Sequence, residues 1–431
     1  MFAFGALAFA ACLAASLLAP PVMAQTLTDL GTLGGDSSQA TAINASGQIA
    51  GYSVRADGFT HAFLYSNGVM TDLGTLGGSA SWASGINSSG AVVGWSYIGA
   101  VYSHAFLYSG GSMTDLGSLG LFLDSYATGI NDSGVVVGTV GNGDSCLYSK
   151  GRITSLNLPP GGTWSQAAGI NDSGQVVGQM GAANDATHAF LYSNGVLTDL
   201  GTLPGGAGSA ATAINNSGQV AGYSSAADAF NHAFLYSDGI MTDLGTLGYS
   251  SAAAAINSSG AVVGYAGSAS DGTHAFLYSN GVMIDLNSFL PAGSSWFFGY
   301  ANGINDAGEV VGYISYGALQ HAVLLNLATL SPSWAAAGGA AFTLTVTNIG
   351  TSFTPGATVN WNGTALATTY MSATELTAIV PANLIAKVGT TSVTVTTTES
   401  TLARATFIIH PSRRLPGVPE QPRNIGRNEE Q

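Results

Sequence analysis

The chain reads as an all-β protein: a seven-bladed β-propeller over residues 25–328, made of four-stranded repeats of roughly 43 residues, and then a small β-sandwich over residues 329–410. Three observations predict this. Ile-Asn-x-x-Gly followed by a short apolar run begins seven times, at Ile43, Ile86, Ile130, Ile170, Ile214, Ile256 and Ile304. His-Ala-Phe-Leu-Tyr-Ser begins at His61, His104, His188, His232 and His274, with altered copies at Asp144 and His321. Thr-Asp-Leu-Gly, or a close variant, follows the intact copies after a glycine-containing turn.

Each element supplies half of a hairpin. Residues 61–66 alternate in polarity, Asn67-Gly68 is a strong two-residue turn signal, and residues 69–73 return. Asn44-Ala45-Ser46-Gly47 joins residues 40–43 to residues 48–52 in the same way. Two hairpins make one four-stranded blade, and the small residues Ala40, Ala42, Ala83 and Gly85 suit a crowded innermost strand. The two ends of the array are out of phase in a complementary sense. Thr28-Asp29-Leu30-Gly31 arrives before the first blade, while the last His-element, residues 321–326, lacks a returning strand. Pairing the N-terminal strand beside residues 321–326 closes the circle and removes an exposed edge.

The recurring histidines and aspartates invite a catalytic or metal reading, but repetition argues for a structural one. The pairs are His61 with Asp72, His104 with Asp115, His188 with Asp199, His232 with Asp243, His274 with Asp285, and His321 with Asp29 across the closure. In a hairpin turning at Asn67-Gly68, Phe63 faces Asp72 and His61 lies diagonal to it on the same face. The third copy loses both members together, Asp144 for His and Ser155 for Asp, as a structural pair would. Histidines on separate blades are too dispersed for zinc, which needs three or four converging ligands. The Asn-x-Ser triplets at Asn44, Asn87, Asn131, Asn171, Asn215 and Asn257 match the glycosylation sequon, yet each is also a tight turn. Segments such as Ala56-Asp57-Gly58 and Ser270-Asp271-Gly272 lack the alternating oxygen ligands of a calcium loop. No metal or cofactor is called for.

With its His61-Ala62-Phe63 triplet and the copies of it, the array resembles the HAF family of extracellular repeats over about 300 residues. The resemblance implies export from a bacterial cell and repeat architecture, and it brings no reaction or ligand. Asp144-Ser145-Cys146 and His321-Ala322-Val323 depart from the triplet. After Leu330 the composition shifts to alternating Thr, Val and Ala over residues 342–346, 358–361, 376–380 and 392–398. Gly350, Phe353, Gly356, Val359, Gly363, Ser372, Leu376 and Pro381 resemble the IPT/TIG immunoglobulin-like domains, which implies an Ig-like spacer or interaction module.

Composition bounds the partners. Charged residues are only 7%, glycine contributes 60 residues, and the net charge is −14. Only Arg55, Lys150 and Arg152 are basic within the repeats, so nucleic acid has no basic stripe to follow. Residues 411–431 read as a disordered tail. Residues 1–24 read as a signal peptide: an apolar run over residues 2–19, Pro20-Pro21, then Val22-Met23-Ala24 before Gln25. No Lys or Arg precedes the run, and an uncleaved membrane anchor is the competing reading. Cleavage removes Cys12, leaves Cys146 alone without an internal disulfide, and leaves no membrane span.

No G-x-S-x-G, Walker or HExxH motif occurs. The leading functional reading is a non-enzymatic binding scaffold, secreted, periplasmic or at the cell surface, for an unknown protein or glycan. The competing reading is an extracellular propeller enzyme acting on polysaccharide or another polymer. Its residual carboxylates would be Asp36, Asp124, Asp185, Asp228 and Glu309, with Asp36 and Asp124 in loops leading into inner strands. A third reading is a surface-layer component acting through bulk alone. The variable loops before the inner strands and before the His-elements share one face, and their aromatic residues nominate a ligand surface: Trp82, Tyr126, Trp164, Trp296 and Tyr300.

Overall fold

A computed structural model describes residues 26–117, 124–141, 143–156, 164–182, 186–269, 272–290, 293–398 and 400–411. The signal-peptide reading, the tail beyond Pro411, and Asp185 and Asp271 lie outside those residues. The fold is all-β and propeller-like. Four-stranded antiparallel sheets follow one another along the chain, each with its strands in sequence order. One of them runs Ser81–Ile86, Val92–Ile98, Tyr102–Ser109 and Ser112–Gly117. At the two ends the strands join. Gly34–Ile43, the first strand of the first repeat, bridges to Leu319–Asn326 of the last at Ser37 and Gln320. Thr26–Asp29 pairs antiparallel with that same last strand, Thr26 opposite Asn326 and Asp29 opposite Val323.

The turns follow from chirality. Asn67 has φ 52° and Gly68 φ 82°, the left-handed pair that a two-residue hairpin loop requires. Glycine is needed differently at Gly51, where an added Cβ would sit 2.1 Å from Gln39 O and 2.6 Å from the Phe63 ring. The Phe of each intact His-Ala-Phe triplet lies over such a glycine, and Phe63, Phe106, Phe190, Phe234 and Phe276 are fully buried. Each of these rings contributes roughly 2–3 kcal/mol of burial. They seal neighbouring sheets together: Phe106 shares a core with Ala50 and Ala62 of the preceding repeat. The altered copies differ. Val323 is too small to cover Gly312, and Phe298 from the first strand of that sheet covers it instead. In the third copy Cys146 stands opposite Gly138 in place of the phenylalanine.

The Asn of every Ile-Asn motif does more than turn the chain. Asn44, Asn87, Asn131, Asn171, Asn215, Asn257 and Asn305 are all buried. Within its own turn, Asn171 Oδ1 accepts from Ser173 Oγ and from Gln175 N. Its Nδ2 donates to the backbone carbonyl of Asn215, in the next sheet, at 3.1 Å. The same bond runs from Asn44 to Asn87, Asn87 to Asn131, Asn131 to Asn171, Asn215 to Asn257 and Asn257 to Asn305. Asn305 then donates to Asn44 O at 3.1 Å, so the relay returns to its start. An amide so committed has no free edge for a glycan.

From Ala328 onward two sheets enclose a separate core. One contains Ala328–Ser331, Phe342–Asn348, Thr368–Ser372 and Glu375–Val380. The other contains Trp334–Ala336, Thr358–Trp361, Thr364–Ala365, Gly389–Thr396 and Thr401–His410. Leu344, Val359, Trp361, Leu376, Val393 and Phe407 pack between them. The sequence reading named four of these nine strands; among the five it missed are the long Thr401–His410 and the short Trp334–Ala336, which pair in parallel. This unit is pinned to the repeats by polar contacts. Asn348 Nδ2 donates to Ala307 O at 2.7 Å, and Arg404 reaches Glu309 at 3.1 Å and Ala45 O at 2.8 Å.

Candidate functional site

The His–Asp pairs come first because they carry the most conspicuous chemistry. Phe63 and Asp72 are register partners, so His61 stands diagonal to Asp72. His61 Nδ1 lies 2.8 Å from Asp72, His104 2.9 Å from Asp115, His188 2.8 Å from Asp199, His232 2.8 Å from Asp243 and His274 2.6 Å from Asp285. A sixth pair joins the two ends of the array, His321 Nδ1 lying 2.7 Å from Asp29. Each Asp is also engaged in its own turn, accepting from the amide two residues on, as Asp72 does from Gly74 and Asp199 from Gly201. Each carboxylate is thus divided between a turn and an imidazole at the strand ends. Among the described residues no three His, Cys, Asp or Glu side chains converge as a metal requires.

His232 has a second carboxylate, Asp228, 3.1 Å from Nε2. Burial lowers its pKa, but the hydrogen bonds and charges of Asp243 and Asp228 outweigh burial and hold it above the ordinary 6.5. Other residual carboxylates are likewise engaged. Asp124 accepts from Ser103 N at 2.7 Å, and buried Glu309 takes Asn305 Nδ2 at 2.6 Å besides Arg404. The loop placement of Asp36 is corrected: it lies inside Gly34–Ile43, because Gly34 already pairs with Arg55.

Two cavities lie along the first strands of the sheets. One, about 290 Å³, is lined by the Ile-Asn motifs of all seven copies at the C-terminal ends of those strands. The other, about 530 Å³, lies nearer their N-terminal ends and is lined by Ser84, Thr128, Thr139, Gln166, Gln179, Ala210, Thr212, Tyr223 and neighbouring alanines. Thr139, Gln166, Gln179, Ala210 and Tyr223 of this lining belong to a belt of register partners, one from the first strand and one from the second. These are Gln39 with Tyr52, Trp82 with Trp95, Tyr126 with Thr139, Gln166 with Gln179, Ala210 with Tyr223, Ala252 with Tyr265, and Tyr300 with Tyr313.

The structure sorts the five nominated aromatic residues. Trp82, Tyr126 and Tyr300 occupy one equivalent belt position; they are strand residues, not loop residues. Trp82 stacks on Trp95 at 4.0 Å, Trp95 meets Tyr126 edge-on at 5.4 Å, and Tyr300 lies between Tyr265 at 4.8 Å and Tyr313 at 5.3 Å. Trp164 precedes the strand Ser165–Ile170, its carbonyl accepting from Gly181. Trp296 packs on Tyr316 and His321, at 5.7 and 5.4 Å. Sequence reasoning missed Tyr223 and Tyr265, which follow the glycine of the second strand and sit in repeats whose loops carry few aromatic residues. Burial, then the neighbouring Tyr300 and Tyr52 hydroxyls, push Tyr313 up to about 12. Burial, then Tyr300 and Tyr223, also raise Tyr265. These phenols stay protonated at neutral pH.

No family model matches the sequence, and no curated protein matches it. Among solved structures, a puromycin-hydrolyzing peptidase of Mycobacterium tuberculosis is 13% identical, with a TM-score of 0.45, covering 70% of this chain and 51% of the peptidase. The chain therefore spans about half the length of that enzyme. The Aleuria aurantia lectin AAL, in a mutant complexed with Fucalpha1-6GlcNAc, is 12% identical with a TM-score of 0.33, covering 61% of this chain and 100% of the lectin. An arginine-to-alanine mutant of AofleA from Arthrobotrys oligospora is 11% identical with a TM-score of 0.34, covering 60% and 88%.

Proposed function

We propose that the chain is a closed seven-bladed β-propeller of HAF-like repeats bearing an Ig-like, IPT/TIG-like sandwich, exported from a bacterial cell, and that it works as a non-enzymatic binding scaffold. The seven-member asparagine relay and the pairing of Thr26–Asp29 with Leu319–Asn326 support closure. One observation carries the binding reading. The 530 Å³ cavity is walled by Ser and Thr hydroxyls, the Gln166 and Gln179 amides, alanines and the ring of Tyr223, and its lining residues include no carboxylate, imidazole or thiol. The His–Asp pairs, found in six of the seven repeats, hold strand ends. The sandwich, fixed through Arg404 and Asn348 at the turn end of the repeats, leaves the belt end to the ligand.

The test is capture of ligand on immobilised protein from the envelope and medium of the producing organism, with soluble protein as competitor. Saturable, competed retention supports the scaffold reading. Retention that grows without limit and ignores the competitor would assign the protein to bulk adhesion.

A further inference from the structure

We propose that the open sector of the belt, bounded by Gln166, Gln179, Tyr223 and Tyr265, is a binding subsite for a neutral saccharide chain. This rests on the scaffold reading and names a ligand class for it. Space is the first argument. Where other repeats carry Trp82, Tyr126 or Tyr300, the fifth and sixth carry Ala210 and Ala252, and the cavity opens beside Ala210. A partly exposed aromatic ring is the second, although Tyr300 meets it at 4.8 Å. Trp95 is covered by its register partner Trp82, whereas Tyr265 faces Ala252 and is 37% exposed.

Hydrogen-bonding capacity is the third argument. Gln179 Nε2 donates to Gln166 Oε1 at 2.8 Å. That bond leaves a donor on Gln166 and an acceptor on Gln179 with no partner among the described residues, and the Tyr223 and Tyr265 hydroxyls have none either. Charge is the fourth: none of the cavity's lining residues is ionised at neutral pH. A pyranose offers an apolar C–H face for stacking and hydroxyls that both donate and accept. The sector offers the counterpart of each. An anionic chain would find no cation here, and a flat protein partner needs on the order of 1,000 Å² that a concave site of this size does not present.

The experiment titrates the full exported chain with neutral hexasaccharides (cello-, malto-, laminari- and manno-series) and with hexagalacturonate, by calorimetry. At least one neutral hexasaccharide should bind. Tyr265→Ala and Gln179→Ala should each weaken it about tenfold, Tyr265→Phe should retain most of the affinity, and Trp334→Ala, remote from the belt, should change nothing. Circular dichroism confirms that each variant folds. The proposal is overturned if no neutral hexasaccharide binds at millimolar concentration, if only hexagalacturonate binds, or if Tyr265→Ala and Gln179→Ala bind like the parent. A non-saccharide ligand captured by the parent and lost in Tyr265→Ala would overturn the saccharide class while leaving the scaffold reading intact. Saturable capture of no ligand at all would remove that reading too.

Discussion

Replacing Asn171 separates the two roles of the repeated asparagine. The side chain is 3% exposed and makes four hydrogen bonds. Two are accepted at Oδ1 from its own turn, and two are donated by Nδ2, to Gln175 Oε1 at 2.7 Å and Asn215 O at 3.1 Å. Asn171→Ala removes all four and orphans buried groups, costing about 3–5 kcal/mol at roughly 1 kcal/mol per bond plus the orphaned amide and carbonyl. Asn171→Asp keeps the turn acceptors but aims a carboxylate at the Asn215 carbonyl, costing about 2–4 kcal/mol at pH 8. That buried carboxyl has its pKa raised above roughly 3.9, so its protonated form is the one the fold prefers. The sign follows: the deficit of Asn171→Asp is largest above the raised pKa and shrinks as pH falls through it, because a protonated carboxyl can donate to Asn215 O. Chemical denaturation at pH 8 and pH 4 reads both effects. If Asn171→Asp stays within about 0.5 kcal/mol of the parent at pH 8, the bond between neighbouring repeats carries nothing and the relay does not hold the sheets.

Three further outcomes follow from the same contacts. Deleting residues 26–31 removes the pairing with Leu319–Asn326, buried Leu30 and the His321 partner Asp29; cooperative unfolding should be lost or aggregation appear, and an unchanged melting curve would count against closure. His232 has its pKa raised, so its pairing stabilises the fold fully below pH 6.5 and loses that contribution as pH rises through the raised value. The stability gap between the parent and His232→Ala should therefore narrow from pH 6 to pH 9, and a gap that widens would refute the pairing. Burial pushes the Cys146 thiol up to about 11, so a thiol reagent at pH 8 should label it only after denaturation; rapid labelling of the native protein would contradict its placement.

The fold was legible because it repeats. Ile-Asn-x-x-Gly and Asn-Gly mark turns by backbone chirality alone, and the phase mismatch between Asp29 and residues 321–326 points to the pairing of the ends. The relay was not legible, since Asn171 reads as a turn former and its bond to Asn215 exists only once sheets are neighbours. The belt was half legible. Trp82 and Tyr300 stand out as rare aromatic residues, but Tyr223 and Tyr265 read as ordinary strand residues, and their openness depends on Ala210 and Ala252 across the register. Trp164 and Trp296 drew attention by their residue type, whereas their positions off the belt follow from the sheet register. Small partners, not large rings, mark the open sector.

The most direct test of the account is to load the immobilised protein with its captured ligand, hold it for hours at neutral pH, and determine the ligand's mass on release. The parallel column carries the double variant Tyr223→Ala, Tyr265→Ala. The account predicts a ligand recovered chemically unchanged from the parent and absent from the double variant. A ligand recovered as cleavage products, or retained equally by the double variant, would contradict it.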